Sequence, residues 1–143
     1  MNADIAPAWF TSEAAERILT SYQHFAVVGC SSDPRRASYG VARYLQSHGY
    51  RVVPVNPFEQ EILGSTCYPD LSSVPDQVEV VDIFRRSDQV LPHVEEAIAV
   101  GAKAIWMQLG VIDERAARLA HEADLEVVMD RCPMIDHPRL ARR

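Results

Sequence analysis

The apolar residues of this chain fall into two kinds of pattern. Unbroken runs read as strands: HFAVVG (24–29), YRVVPVNP (50–57), VEVVDIF (78–84), AKAIWMQLG (102–110) and LEVVMD (125–130). Between them, apolar positions recur three or four residues apart, as on one face of a helix. SYGVARYLQSHG (38–49) sets Val41, Tyr44, Leu45 and His48 at that spacing, with Gly49 placed to end the helix. DQVLPHVEEAIAVG (88–101) aligns Val90, Val94, Ala97 and Ile98 before Gly101, and Pro92 fits only in the first turn. DERAARLAHEAD (113–124) is the next helix, with Ile112, Ala116, Leu119 and Ala120 facing inward. An N-terminal helix is expected over about 11–21. Thr11 or Ser12 caps it, Glu13 lies in its first turn, and Ala14, Ala15, Ile18 and Leu19 form its stripe. EILGSTCYPDLSSVPDQ carries turn residues and one short edge strand around 62–67, and RCPMIDHPRLARR reads as a polar tail.

The strands are apolar throughout rather than on alternate positions. Parallel strands covered on both faces have that character. Right-handed crossovers then give an α/β fold: a three-layer, Rossmann-like, doubly wound and mostly parallel sheet with helices on both faces. A chain of 143 residues suits a single domain, 1–143, with its core over about 24–137. Such folds bind ligands beyond the C-terminal ends of the strands.

The segment VVGCSSDPRRASYG (27–40) lies at such an end. Its loop is longer than the usual βα connection of about 2–6 residues. The first amides of the following helix have no partners inside it and carry partial positive charge, which suits phosphate. Ser31, Ser32 and Ser38 add hydroxyls, and Arg35 and Arg36 add guanidinium groups that grip phosphate with paired hydrogen bonds. The bland alternative is a solvated loop whose serines only cap a helix. The G-x-G-x-x-G pattern and the acidic residue that follows it in NAD sites are both missing. The arginines leave NADP, with its 2′-phosphate, as a rival ligand.

VVGCSSDPRRASYGVARYLQSHGYRVVPVNP, GSTCYPDLSSVP, VDIFRRSDQV, IWMQLGV and DRCPMID, in that order, resemble the small bacterial CoA-binding proteins. That family is similar to a free-standing CoA-binding domain of the succinyl-CoA synthetase alpha subunit. The resemblance spans about residues 24–137 and implies a Rossmann-like fold that binds coenzyme A, free or acylated, with no catalysis of its own. Carried over by position, Gly29, Ser31, Arg36 and Ser38 match the phosphate loop, with Arg35 beside them. Asn56 and Pro57 match the segment that runs along the nucleotide. Ile83, Phe84 and Arg85 match the strand end bordering adenine and its phosphates, Gln108 and Gly110 the next strand end, and Cys132 and Pro133 the last. Coenzyme A bears a pyrophosphate and a 3′-phosphate, and Arg35, Arg36, Arg85 and Arg86 supply matching charge.

Composition narrows the field further. A net charge of −6 argues against nucleic acid or an anionic membrane as partner. No apolar stretch is long enough to span a bilayer, and the N-terminus lacks a signal pattern, so a cytoplasmic protein is expected. Cys30, Cys67 and Cys132 are odd in number and widely spaced, as reduced thiols are. Cys132 is either a packed residue or a partner for the ligand's thiol in a mixed disulfide. Cys30 is either packed or lowered in pKa by the nearby helix start. His24, His48, His93, His121 and His137 show no metal-ligand spacing, so no metal is expected. Glu95 and Glu96 read as a solvated face, and Trp106 and Met107 as core. Asp82 is an acid–base group or a structural hydrogen-bonding residue, and Asp130 and Asp136 are site residues or turn formers. No Ser-His-Asp arrangement or nucleophile elbow is present. The expectation is a CoA-binding module. The rivals are a small NADP-dependent oxidoreductase and an interaction subunit with a vestigial nucleotide site; protein partners are not specified.

Overall fold

The computed structural model describes residues 8–141. Strands β1 (His24–Val28), β2 (Arg51–Val55), β5 (Val80–Ile83), β6 (Ala104–Met107) and β7 (Glu126–Val128) form a parallel sheet in the order β2-β1-β5-β6-β7. Helices α1 (Ser12–Ser21), α2 (Ala37–Ser47), α3 (Leu91–Ala99), α4 (Glu114–Glu122) and α5 (Pro133–Leu140) cover it. β1, β5 and β6 are buried on both faces, which is why their sequences are unbroken apolar runs.

Register sorts these strands onto two cores. Val53, Ala26, Val81, Ile105 and Val127 lie side by side across the sheet. They pack against Val94 and Ala97 of α3 and Ala116, Ala117 and Ala120 of α4. On the opposite face, Phe25, Val80, Ala104 and Trp106 meet Ala15, Ile18 and Leu19 of α1 and Val41 and Leu45 of α2. Thr11 caps α1, its Oγ1 accepting from the Ala14 N–H at 3.2 Å. The N-terminal helix thus packs on its own sheet.

Three expectations are corrected. The stretch around 62–67 is not one edge strand but a separate antiparallel hairpin, β3 (Glu61–Ile62) with β4 (Ser65–Thr66). Leu63 (φ 54°) and Gly64 (φ 76°) both take positive φ and reverse the chain in two residues. Just beyond it, Tyr68 pairs in parallel with Val55: its N–H donates to Pro54 O at 3.1 Å and its carbonyl accepts from the Asn56 N–H at 2.9 Å. Tyr68 is a further strand reduced to one residue. Counting it, the spatial order is 3-2-1-4-5-6, that of dinucleotide-binding folds. Second, the polar tail contains α5. Pro133 occupies its first turn, where the missing N–H costs nothing, and its buried face carries Asp136. Third, Ile112 does not face inward; it is 43% exposed, ahead of the Asp113 N-cap of α4.

Among the described residues, no helix is long and apolar enough to cross a membrane.

Candidate functional site

The chain order reverses between β1 and β5, and the loops after those strands diverge over the sheet end. Gly29 joins them. At φ +81° its N–H donates to Val55 O, and a Cβ there would stand 2.4 Å from the Phe84 carbonyl oxygen. Only glycine allows that approach.

From Gly29 the loop folds on itself. Ser38 Oγ accepts from the Ser31 N–H and Ser31 Oγ from the Asp33 N–H, both at 3.0 Å. Asn56 Nδ2 donates to Cys30 O at 2.8 Å, tying this loop to the end of β2. Arg36 is the N-cap of α2 and makes no capping hydrogen bond. The Ala37, Ser38 and Tyr39 amides have no acceptor among the described residues. Ala37 and Ser38, whose N–H groups are unpaired, line the same space as Arg36, whose guanidinium makes no hydrogen bond or ion pair among the described residues.

That space is a cleft of about 900 Å³. The loops after β1 and β5 line it with Arg36, Arg85 and Arg86, and the loop after β6 and the start of α5 line it with Leu109, Val111, Cys132 and Met134. A second groove, of about 400 Å³, shares Gly29, Phe84 and Arg85 with it and runs past Asn56, Pro57 and Phe58 to His93 and Glu96.

The residues expected at the site divide accordingly. Gly29, Ser31, Arg36, Ser38, Phe84, Arg85, Gln108 and Cys132 line the main cleft, and Asn56 and Pro57 the second groove. Arg35, Ile83, Gly110 and Pro133 line neither. Arg35 forks onto Asp33, contacting both carboxylate oxygens at 3.1 Å, and this pairing holds the Asp33 pKa below its ordinary value. Ile83 belongs to the core against α3 and α4. Gly110 donates its N–H to Asp130 Oδ1 at 2.7 Å, and Pro133 is buried in the first turn of α5. Sequence reasoning missed Gln89, Leu109, Val111, Met134 and Phe58. The exposed ones among these had a readable sign: large apolar residues beside Gly110 and Pro57 have nothing in the core to serve.

Burial dominates titration here. Desolvation pushes the Cys30 thiol up to about 12, and neighbouring Cys67 and Asp82 add to it; the lowering expected from the helix start is absent. Burial also raises the Cys132 thiol, while the nearby Met134 backbone and Gln108 side chain pull partly the other way. Asp82 is fully buried, and among the described residues neither of its carboxyl oxygens has a hydrogen-bond partner. The hydrogen-bonding role, one of the two alternatives for it, thus finds no partner there, and desolvation drives it toward the neutral acid. Among the described residues, no cluster of histidine, cysteine, aspartate or glutamate has the makings of a metal site.

Comparison with known proteins agrees with this geometry: the CoA binding domain family matches residues 23–138. The chain belongs to that family. An uncharacterized protein from Bacillus subtilis, YneT, is 34% identical over 85% of this chain and 90% of its own. A hypothetical protein from Pyrococcus horikoshii superposes with a TM-score of 0.89 at 41% identity, covering 99% of both chains. The alpha subunit of an ADP-forming acetate–CoA ligase II from Pyrococcus furiosus is 27% identical over 75% of this chain, which spans 26% of that subunit. Family membership thus covers nearly the whole chain, whereas the ligase likeness covers one part of a longer protein.

Proposed function

We propose that this chain binds coenzyme A in the cleft at the β1–β5 reversal and holds it without catalysing a reaction on it, in the cytoplasm. The observation that carries the reading is the uncapped start of α2. The free Ala37 and Ser38 amides and Arg36 line one cleft with room for a pyrophosphate, within a chain of the CoA binding domain family. Arg85 and Arg86 add charge for a 3′-phosphate. The groove past Asn56, Pro57 and the 92% exposed Phe58 offers a flat apolar surface for adenine. A longer relative named as an acetate–CoA ligase supports the ligand class.

A thermal-shift and calorimetric panel of coenzyme A, acetyl-CoA, dephospho-CoA, NAD and NADP tests it. Coenzyme A at about 100 times its Kd should add about 2.7 kcal/mol of stability. Dephospho-CoA should bind more weakly and NAD not at all. A shift with NADP and none with coenzyme A overturns the reading.

A further inference from the structure

The loop after β1 is braced from a second side, by the segment after β2. The tip of the loop lies on the surface: residues 34–37 are exposed, and none of them belongs to a buried apolar cluster. Just before that tip, the Ser32 N–H and the Ser32 hydroxyl both donate to one oxygen of Glu59, Oε2, at 3.2 and 2.6 Å. The hydroxyl expected to meet a phosphate serves this carboxylate instead. Glu59 is brought back toward the loop by a tight turn, in which Asn56 Oδ1 accepts from the Phe58 N–H at 2.8 Å and Asn56 O from the Glu59 N–H at 3.5 Å. Asn56 Nδ2 also donates to Cys30 O, so turn and loop are joined at two points, Cys30 and Ser32. Phe58, 92% exposed, stands between Asn56 and Glu59 on the turn.

Neither Glu59 nor Ser32 lines the cleft or the second groove, so the carboxylate does not occupy a donor that faces the ligand. It acts on residues that do line them. Ser31, next to Ser32, gives its N–H to Ser38 Oγ, and both serines line the cleft. Phe58, next to Glu59, lines the groove with Asn56 and Pro57. A surface loop left free spreads over many conformations, and a ligand that must order it binds less tightly by that amount. A charged acceptor holds an amide and a hydroxyl more firmly than a neutral one does. Resting on the coenzyme A reading, we propose that Glu59 is a positioning residue: its carboxylate locks the phosphate loop to the turn that carries Phe58, so that the phosphate and base ends of the site are set against each other before the ligand arrives. The alternative is an internal competitor, a carboxylate that holds the loop's donors against an incoming phosphate.

Calorimetric titration of coenzyme A into wild type, Glu59→Ala, Glu59→Gln, Phe58→Ala and the double variant Phe58→Ala with Glu59→Ala tests this. Glu59→Ala should weaken binding by about 3- to 10-fold, the worth of one hydrogen bond no longer made in advance. Glu59→Gln keeps an oxygen for Ser32 and should bind no more than about twofold more weakly than wild type. Both side chains act through one turn, so the loss caused by Glu59→Ala should shrink in the Phe58→Ala background, a coupling that a merely structural contact would not show. Glu59→Ala that binds as wild type does overturns the proposal while leaving the coenzyme A reading intact. Tighter binding by both Glu59 variants overturns it in favour of the competitor. Equal losses in Glu59→Ala and Glu59→Gln, or full additivity with Phe58→Ala, overturn it as well. Wild type that binds no coenzyme A overturns both readings. Should Glu59→Ala fail to fold, Ser32→Ala removes one of the two bonds from the other side; it should weaken coenzyme A by about 2- to 5-fold, and unchanged binding there overturns the proposal.

Discussion

Replacing Gly29 by alanine tests the junction on which the cleft depends. Two costs are separable. At φ +81° an L-residue pays about 1–2 kcal/mol for the left-handed conformation. The new Cβ would also lie 2.4 Å from the Phe84 oxygen and 3.2 Å from its carbonyl carbon, so one backbone must yield by about half an ångström or more. Neither yields easily. The Gly29 N–H donates to Val55 O and the Phe84 N–H to Val28 O, each at 2.9 Å. Forced overpacking of this sort costs about 1–3 kcal/mol, so Gly29→Ala should lose about 2–5 kcal/mol. Gly64→Ala is the matched control, because Gly64 has φ +76° with open space around it and bears only the conformational cost. Urea unfolding of both variants, analysed at a common m-value, gives the difference. Gly29→Ala should be the less stable by about 1–3 kcal/mol and should also bind coenzyme A more weakly, since Phe84 and Arg85 are displaced. If the two variants agree within about 0.5 kcal/mol, the close approach does not constrain the fold as argued.

Three further outcomes are expected. Arg36→Ala should weaken coenzyme A by about 10- to 100-fold in calorimetry, the worth of one good charge-assisted contact, whereas Arg35→Ala, whose guanidinium is already held by Asp33, should change little; equal effects would count against the assignment. Burial raises the folded pKa of Asp82, so the stability linked to its proton is complete near its unfolded pKa of about 4 and is lost as pH rises toward the folded value. Asp82→Asn should therefore gain on wild type by about 1.4 kcal/mol per pH unit across that window in denaturant titrations, and a gap independent of pH would refute it. Asp136 is fully buried and paired with Arg131, so Asp136→Ala should cost about 3–5 kcal/mol on chemical unfolding, where a loss under 1 kcal/mol would mean the pair is not needed.

What the sequence disclosed and what it hid have physical causes. The main strands were readable because burial on both faces leaves no room for alternation; Asp82, inside one of them, is the exception that the apolar run could not explain. Helix α5 was hidden because its buried face holds a carboxylate whose partner, Arg131, lies just outside the helix, and because prolines stand at 133 and 138. The hairpin was hidden because two-residue strands show no period, and Leu63 at positive φ is not the residue a turn rule looks for. At the site, the glycine, serines and arginines marked the loop. Nothing in Arg35-Arg36 said which one was free. That was decided by Asp33, two residues before the first arginine, close enough to claim it locally. Cys30 illustrates competing effects: a helix start lowers a thiol pKa, but burial, with the charges of Cys67 and Asp82 beside it, overrides it.

The same reasoning explains why α2 begins as it does. A helix start selected for stability alone would carry serine, threonine, aspartate or asparagine at the N-cap, worth about 1 kcal/mol over a residue that cannot cap. α1, α4 and the short turn at Leu71–Ser73 follow that rule, using Thr11, Asp113 and Asp70. α2 does not: Arg36 occupies the cap, and the hydroxyl that would serve it, on Ser38, is turned back to accept from Ser31. An aspartate at position 36 would satisfy an orphan amide and at once set a negative charge where the cleft gathers positive ones. Side-chain caps are also missing at α3 and α5, whose N-caps are Val90 and Cys132, but of the five α-helices α2 is the one that sets a cation at the cap position beside the cleft, and the stability forgone there is what an anionic ligand would restore on binding. On this account Arg36→Asp should raise the stability of the free protein while abolishing stabilisation by coenzyme A. A variant destabilised in the absence of ligand would show that Arg36 is there to support the fold and not the ligand.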